Sequence, residues 1–215
     1  MQPLPQYRPN DLFETSFQPH MTVPGFFPGT GGYFHGHLPK SKQYLFFGTD
    51  FGPRGYQRQL ESAGGEPATN ATIRNLRSVV EKAKLPLEAC FLTNAVLCTR
   101  MGESATEDFP IWERYPDYVA ECARWHREFV AAHRPKLVAL MGTPHLKHFG
   151  PMLFPELAAH WRGCKTLAEV FRASREALTL RDGTLVLLMH HPSHWQAYPK
   201  PFTRRVEEHL AGLAA

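Results

Sequence analysis

Three polar residues, far apart in the chain, stand where an apolar run stops. Asp50 closes the run in Tyr44-Leu-Phe-Phe-Gly-Thr-Asp-Phe-Gly52, Asn94 lies in Cys90-Phe-Leu-Thr-Asn-Ala-Val-Leu-Cys98, and His191 follows Leu185-Val-Leu-Leu-Met-His190 and precedes Pro192-Ser193. A carboxylate at Asp50 can orient or activate a water, and Gly48 just before it permits close backbone approach by a ligand. The amide of Asn94 carries both donor and acceptor groups and suits the edge of a base or a peptide-like ligand. A neutral imidazole at His191 can donate a hydrogen bond to developing negative charge, and Pro192 keeps the residue before it extended. The structural alternatives are an Asx turn at Asp50 and a backbone-bonded amide at Asn94. His190 and His191 are neighbours on a strand and point to opposite faces. No third ligand is spaced to help them, so the pair does not read as a metal site.

The elements that must position these residues follow from the same runs. Continuous apolar strands belong to a parallel sheet covered on both faces, and ligands bind such sheets outside the carboxyl ends of the strands. Asp50, Asn94 and His191 are therefore expected to converge on one site. The pattern predicts strands at about 43–49, 90–97, 136–142 and 184–190. A helix is predicted over 71–84, with Ile73, Leu76, Val80 and Ala83 at helical spacing and Thr69 or Asn70 as its cap. Another covers 117–133, with Val119, Cys122, His126, Phe129 and Val130 on one stripe, and Arg134-Pro135 ends it. Pro144 opens a short helix behind Gly142 and Thr143 that offers free N–H groups to an anion. Residues 151–180 read as helical segments, and a last helix carries Val206, Leu210 and Leu213. The stretch after Gly52 reads as a loop. The fold class is α/β, a three-layer α/β/α sandwich around a central four-stranded parallel sheet. Residues 1–40 hold seven of the 19 prolines and many aromatics; they read as an ordered N-terminal arm packed on a main domain at 41–215.

Composition bounds the function without naming it. The chain has 215 residues and a net charge of +4, which permits contact with a polyanion but does not demonstrate it. Neither a secretory signal nor an apolar run of membrane-spanning length is present, so a cytoplasmic protein with no membrane partner is expected. The four cysteines form no CxxC pair, which leaves zinc-ribbon and redox readings without local support. Cys90 and Cys122 read as small buried hydrophobes. Beyond Ser193, the residues His194, Trp195, Tyr198 and Phe202 alternate with Lys200, Arg204 and Arg205. Such a loop either stacks on or wedges into nucleic acid, or anchors itself on the core through its rings.

Taken in order, these segments resemble the uracil-DNA glycosylase superfamily over roughly residues 43–210. Gly48-Thr-Asp-Phe-Gly52 is similar to its first motif, and Phe91-Leu-Thr-Asn-Ala-Val-Leu97 to the strand whose asparagine reads the uracil edge. Arg134-Pro-Lys-Leu-Val-Ala-Leu-Met-Gly142 looks like the strand that ends in Gly before a helix. His191-Pro-Ser193 matches the His-Pro-Ser signature that precedes the minor-groove loop. The resemblance implies a base-excision repair glycosylase that hydrolyses the N-glycosidic bond of uracil, or of a related deaminated base, after flipping the nucleotide out of DNA. It implies a monomer working without metal or other cofactor. Asp50 and His191 would be catalytic; Gly48, Thr49, Phe51, Asn94 and Tyr56 would bind the base; Ser193, His194, Trp195, Gly142 and Thr143 would contact DNA. Three departures stand out. Phe51 replaces the usual proline. Tyr56 is the only aromatic between the first motif and the helix at 71, with Pro67-Ala-Thr69 where one branch has phenylalanine. No cysteine precedes Cys90, so the iron–sulfur cluster of another branch is not expected, although Cys98 and Cys122 sit near two of its positions. Two other readings are a mismatch-directed glycosylase with a different base preference and a non-catalytic or weakly active DNA binder.

Overall fold

A computed structural model describes residues 12–13, 43–50, 52–63, 70–100, 102 and 110–214. The strands are β1 (Leu12–Phe13), β2 (Tyr44–Gly48), β3 (Cys90–Asn94), β4 (Thr99–Arg100), β5 (Leu137–Met141), β6 (Ala177–Thr179) and β7 (Leu185–Met189). The helices are α1 (Arg54–Ala63), α2 (Ala71–Lys82), α3 (Ile111–Arg114), α4 (Pro116–His133), α5 (Gly150–Leu153), α6 (Glu156–His160), α7 (Leu167–Arg172) and α8 (Lys200–Ala211). A widened π turn spans His145–Phe149 and a 3-10 turn spans Pro192–Ala197.

The main sheet has five strands in the order β3-β2-β5-β7-β6. The four strands expected from sequence are mutually parallel. The fifth, β6, runs antiparallel on the edge, pairing Ala177 with Leu187, within a stretch that reads as helical. Three edge residues are too few for a period of two to declare itself. Helix α1 likewise occupies sequence that reads as loop, because Arg54–Ala63 is mostly polar and its apolar stripe is reduced to Tyr56, Leu60 and Ala63 behind the turn-forming Gly52-Pro53. A separate two-stranded ribbon pairs β1 with β4, Leu12 opposite Arg100.

Side chains alternate across the sheet, and each face carries its own apolar cluster. Leu45, Phe47, Val138, Leu140, Val186 and Leu188 pack with Val119, Cys122 and Phe129 of α4 and with Phe149 and Leu153. Tyr44, Phe46, Leu137, Ala139, Leu187 and Met189 pack with Leu76 and Val80 of α2 and with Val206 and Leu210 of α8. Asn70 caps α2, its Oδ1 accepting from the Thr72 N–H at 2.8 Å and the Ile73 N–H at 3.3 Å. Helix α4 starts with Pro116 in its first turn and stops at Arg134, whose φ is +51°.

This topology locates a crevice. β2 lies between β3 and β5. The chain leaving β2 feeds α2 on one face, whereas the chain leaving β5 feeds the π turn and α5 on the other. The connections part between the carboxyl ends of β2 and β5, and such a switch point is where open α/β sheets place their ligands.

Candidate active site

Register brings the strand ends level. Gly48 is opposite Asn94, Phe47 is opposite Leu140, and Met141 is opposite Met189. Asp50, Asn94, Gly142 and His191 thus emerge along one edge of the sheet.

Asn94 is the last residue of β3 rather than an interior one. A Cβ built on Gly48 would stand 2.3 Å from Asn94 Oδ1 and 3.4 Å from its Cγ, so the amide occupies the space that a side chain at position 48 would take. Pairing continues past the strands: the Ala95 N–H donates to Gly48 O at 2.9 Å and the Val96 N–H to Thr49 O at 3.0 Å. Thr49 and Asp50 are thereby carried alongside the turn that bears Asn94. His126 of α4 lies beneath that turn. Burial lowers its pKa to about 3, opposed in part by hydrogen bonding to the backbone at Ala95 and Asn94, so the ring supports the turn uncharged.

Half-buried Asp50 accepts the Gly52 N–H on Oδ1 at 2.6 Å, an Asx-type turn that Gly52 permits with φ +77°. The turn and a catalytic role are compatible, because the hydrogen bond fixes the direction of the carboxylate. A Cβ on Gly52 would lie 3.3 Å from Tyr56 Cδ1, so the ring of Tyr56 sits against this turn. Its hydroxyl accepts from Asn70 Nδ2 at 3.3 Å. Phe51, Pro67-Ala-Thr69 and the N-terminal arm apart from Leu12–Phe13 lie outside the described residues.

His191 is held by its own loop. Its Nδ1 is 2.7 Å from Ser193 Oγ and accepts the Ser193 N–H at 3.4 Å. An amide N–H can only donate, so Nδ1 is the acceptor and the proton of the neutral ring sits on Nε2. Burial, reinforced by the nearby His194, lowers the pKa to about 4. The result is an uncharged ring at neutral pH whose one donor is Nε2–H. Gly142, at φ +103°, brings its backbone close: a Cβ there would meet His191 Cβ at 3.6 Å. Its N–H donates to Met189 O at 2.8 Å, and Thr143 beside it is half-buried.

Sequence reasoning missed His145, which it read only as part of a helix start. The residue is fully buried at the head of the π turn. Its ring meets Phe149 edge-on with centroids 5.6 Å apart. Burial lowers its pKa to about 3, opposed in part by hydrogen bonding to the Gly48 backbone and reinforced by the nearby His191. A histidine directly behind Pro144 and ahead of the apolar Leu146 is the signal that could have found it.

The aromatics beyond Ser193 turn inward. Tyr198 stacks on the buried His190 with centroids 3.4 Å apart, His190 stacks on Phe171 at 5.0 Å, and Phe202 stacks on Phe171 at 4.9 Å. Trp195 is half-buried against the apolar cluster on the α2 side. His194, Gln196 and Lys200 remain exposed, and Ser193 is half-buried. Among the described residues, no three His, Cys, Asp or Glu side chains are grouped to hold a metal, and no helix is long and apolar enough to cross a membrane.

Four histidines, three buried and His191 half-buried, give stability a direction in pH. His126 and His145 are lowered to about 3, and His190 and His191 to about 4. The unfolded chain takes up these protons near pH 6.5; the folded protein does not until pH 4 or below. The unfolded state therefore binds more protons in that window, and stability falls as pH drops from about 6.5, by up to about 1.4 kcal/mol per pH unit for each histidine. Urea midpoints at pH 7.5, 6 and 5 are expected to decline in that order; equal midpoints at all three would contradict the buried neutral rings.

Residues 35–211 match the family model described as the uracil DNA glycosylase superfamily. No curated protein matches the chain.

Proposed function

The chain belongs to the uracil-DNA glycosylase superfamily, and from this we propose that it excises uracil, or a closely related deaminated base, from DNA by hydrolysing the N-glycosidic bond. The observation that carries the reading is the fit of Asn94 over Gly48, which sets an amide, with its donor and acceptor, at the mouth of the crevice beside Asp50. A flipped base enters there because its glycosidic bond is out of reach inside the stack. Asn94 meets the base edge. As the bond breaks, its electron pair goes to the base, and negative charge on the departing carbonyl oxygen is met by His191 Nε2–H. Such a donor works because it is already aimed and already desolvated. A neutral donor also suits an anionic leaving group that departs without taking the proton. The sugar is left cationic. Water held by Asp50 adds to it and gives up its proton, leaving an abasic site and the free base. Ser193, His194 and the N–H groups behind Gly142 meet the DNA backbone.

The test is direct. Single- and double-stranded oligonucleotides carrying uracil, hypoxanthine or xanthine are incubated with the protein and then treated with alkali. Scission at the uracil position is expected. Scission only at hypoxanthine or xanthine would move the base preference. No scission on any substrate, with DNA binding retained, would replace the enzyme reading with that of a non-catalytic binder.

A further inference from the structure

Helix α2 reaches the catalytic loop through one side chain that the family resemblance does not single out. Asn75, half-buried one turn into the helix, donates from Nδ2 to Pro192 O at 2.7 Å across 117 residues of sequence. Pro192 is itself buried. The oxygen belongs to the Pro192–Ser193 peptide, and the N–H of the same peptide is the one that His191 Nδ1 accepts. In a planar trans peptide the C=O and the N–H point in opposite directions, and no peptide bond among the described residues is cis. Holding the oxygen toward Asn75 therefore turns the N–H toward His191.

We propose that Asn75 is a positioning residue that sets the tautomer of His191 by fixing the plane of the Pro192–Ser193 peptide. The consequence rests on the reading of His191 as the leaving-group donor. With the peptide fixed, Nδ1 faces an N–H that can only donate, and the proton stays on Nε2. With the peptide free to rotate, Ser193 Oγ alone faces Nδ1, and a hydroxyl serves as either donor or acceptor. The ring can then carry its proton on Nδ1, which removes the donor from the crevice. The anchor is stiff because Ile73, Leu76, Val79 and Val80 bury the same helix in the core. Asn70 of its cap also holds the Tyr56 hydroxyl, so the first turns of one helix brace both sides of the crevice.

Asn75→Asp keeps the shape but sets a carboxylate oxygen against a carbonyl oxygen. Asn75→Ala removes the donor at a helix position where alanine is favoured, and it reads the same result should the Asp variant not fold. Imidazole nitrogen shifts of His191 in the DNA-free protein are the first readout. The native protein is expected to show one protonated and one unprotonated nitrogen, and the variants to show the two signals drawn together by tautomer averaging. Turnover is the second: kcat on a uracil-containing oligonucleotide is expected to fall by about tenfold or more with KM changed by less than about threefold. Asn75→Gln, with a donor on a longer arm, is expected to recover part of kcat. Unchanged nitrogen shifts in both variants would overturn the proposal whatever the enzyme does. A native protein that releases no base, yet shows the tautomer shift, would leave Asn75 in its role and remove only the glycosylase reading.

Discussion

His191→Ala is expected to slow base release by about 10²–10³-fold, the cost of removing one preorganised donor from a developing oxyanion. The physical ground is that this ring is unusually well prepared. Ser193 fills its Nδ1, burial keeps it uncharged with a pKa near 4, and Gly142 closes in from the neighbouring strand. Nothing in the ring has to rotate or lose a proton before it donates. The loss should appear in kcat, because the interaction forms only as charge develops, and oligonucleotide affinity should change little. Asp50→Asn is the companion measurement: the Asx-type bond to Gly52 can survive in an asparagine, while the charge that steadies the sugar cation and the base that takes the water's proton are gone. Single-turnover rates of the two variants check both assignments. Turnover unchanged in both would remove the proposed catalytic pair altogether.

The second large effect comes from a single methyl group. Gly48→Ala would place a Cβ 2.3 Å from Asn94 Oδ1, a separation that no relaxed structure tolerates. The backbone at 48 is held by its pairing with β3, opposite Asn94 and with its carbonyl accepting the Ala95 N–H, so the amide must move. Overpacking of this kind costs about 1–3 kcal/mol of stability, and losing the aimed amide should lower kcat/KM by about 10–100-fold. A double-mutant cycle separates the clash from other causes. In an Asn94→Ala background the added methyl has no amide to strike, so Gly48→Ala should cost little there, and the two changes should be strongly non-additive. If Gly48→Ala were equally harmful in both backgrounds, the fit between the two residues would not be what matters at position 48.

The parallel strands and their polar ends were legible because a strand buried on both faces must be apolar at every position, which makes its end abrupt in the sequence. That legibility stops where context decides. β6 is three residues on an edge and leaves no periodic trace, while α1 is a mostly polar helix whose short stripe of Tyr56, Leu60 and Ala63 is easily passed over behind Gly52-Pro53. Asn75 looks like any polar residue between exposed Arg74 and buried Leu76, and only the arrival of Pro192 from the far end of the chain gives it a partner. His126 was visible as one of a helical stripe, but not as the support beneath Asn94. The loop after Ser193 allowed two readings, and the rings of Tyr198 and Phe202 lie inward in the stack around His190 because a buried face was available to them. Asp50 shows the opposite case: its local turn was an alternative to function in the sequence, and the geometry makes it compatible with both.

The order of strands across the sheet also has a bearing on how the protein is made. β2, β3 and β5 can pair with one another once residue 141 has emerged from the ribosome, since β2 sits between the other two. The ribosome-bound chain then already holds Gly48 opposite Asn94, with Asp50 close behind, and so has part of the proposed site without its proposed donor. His191 arrives with β7, which joins the far side of β5 some fifty residues later. The donor is added to a frame built without it, and a nascent chain gains the complete crevice only once β7 has joined the sheet.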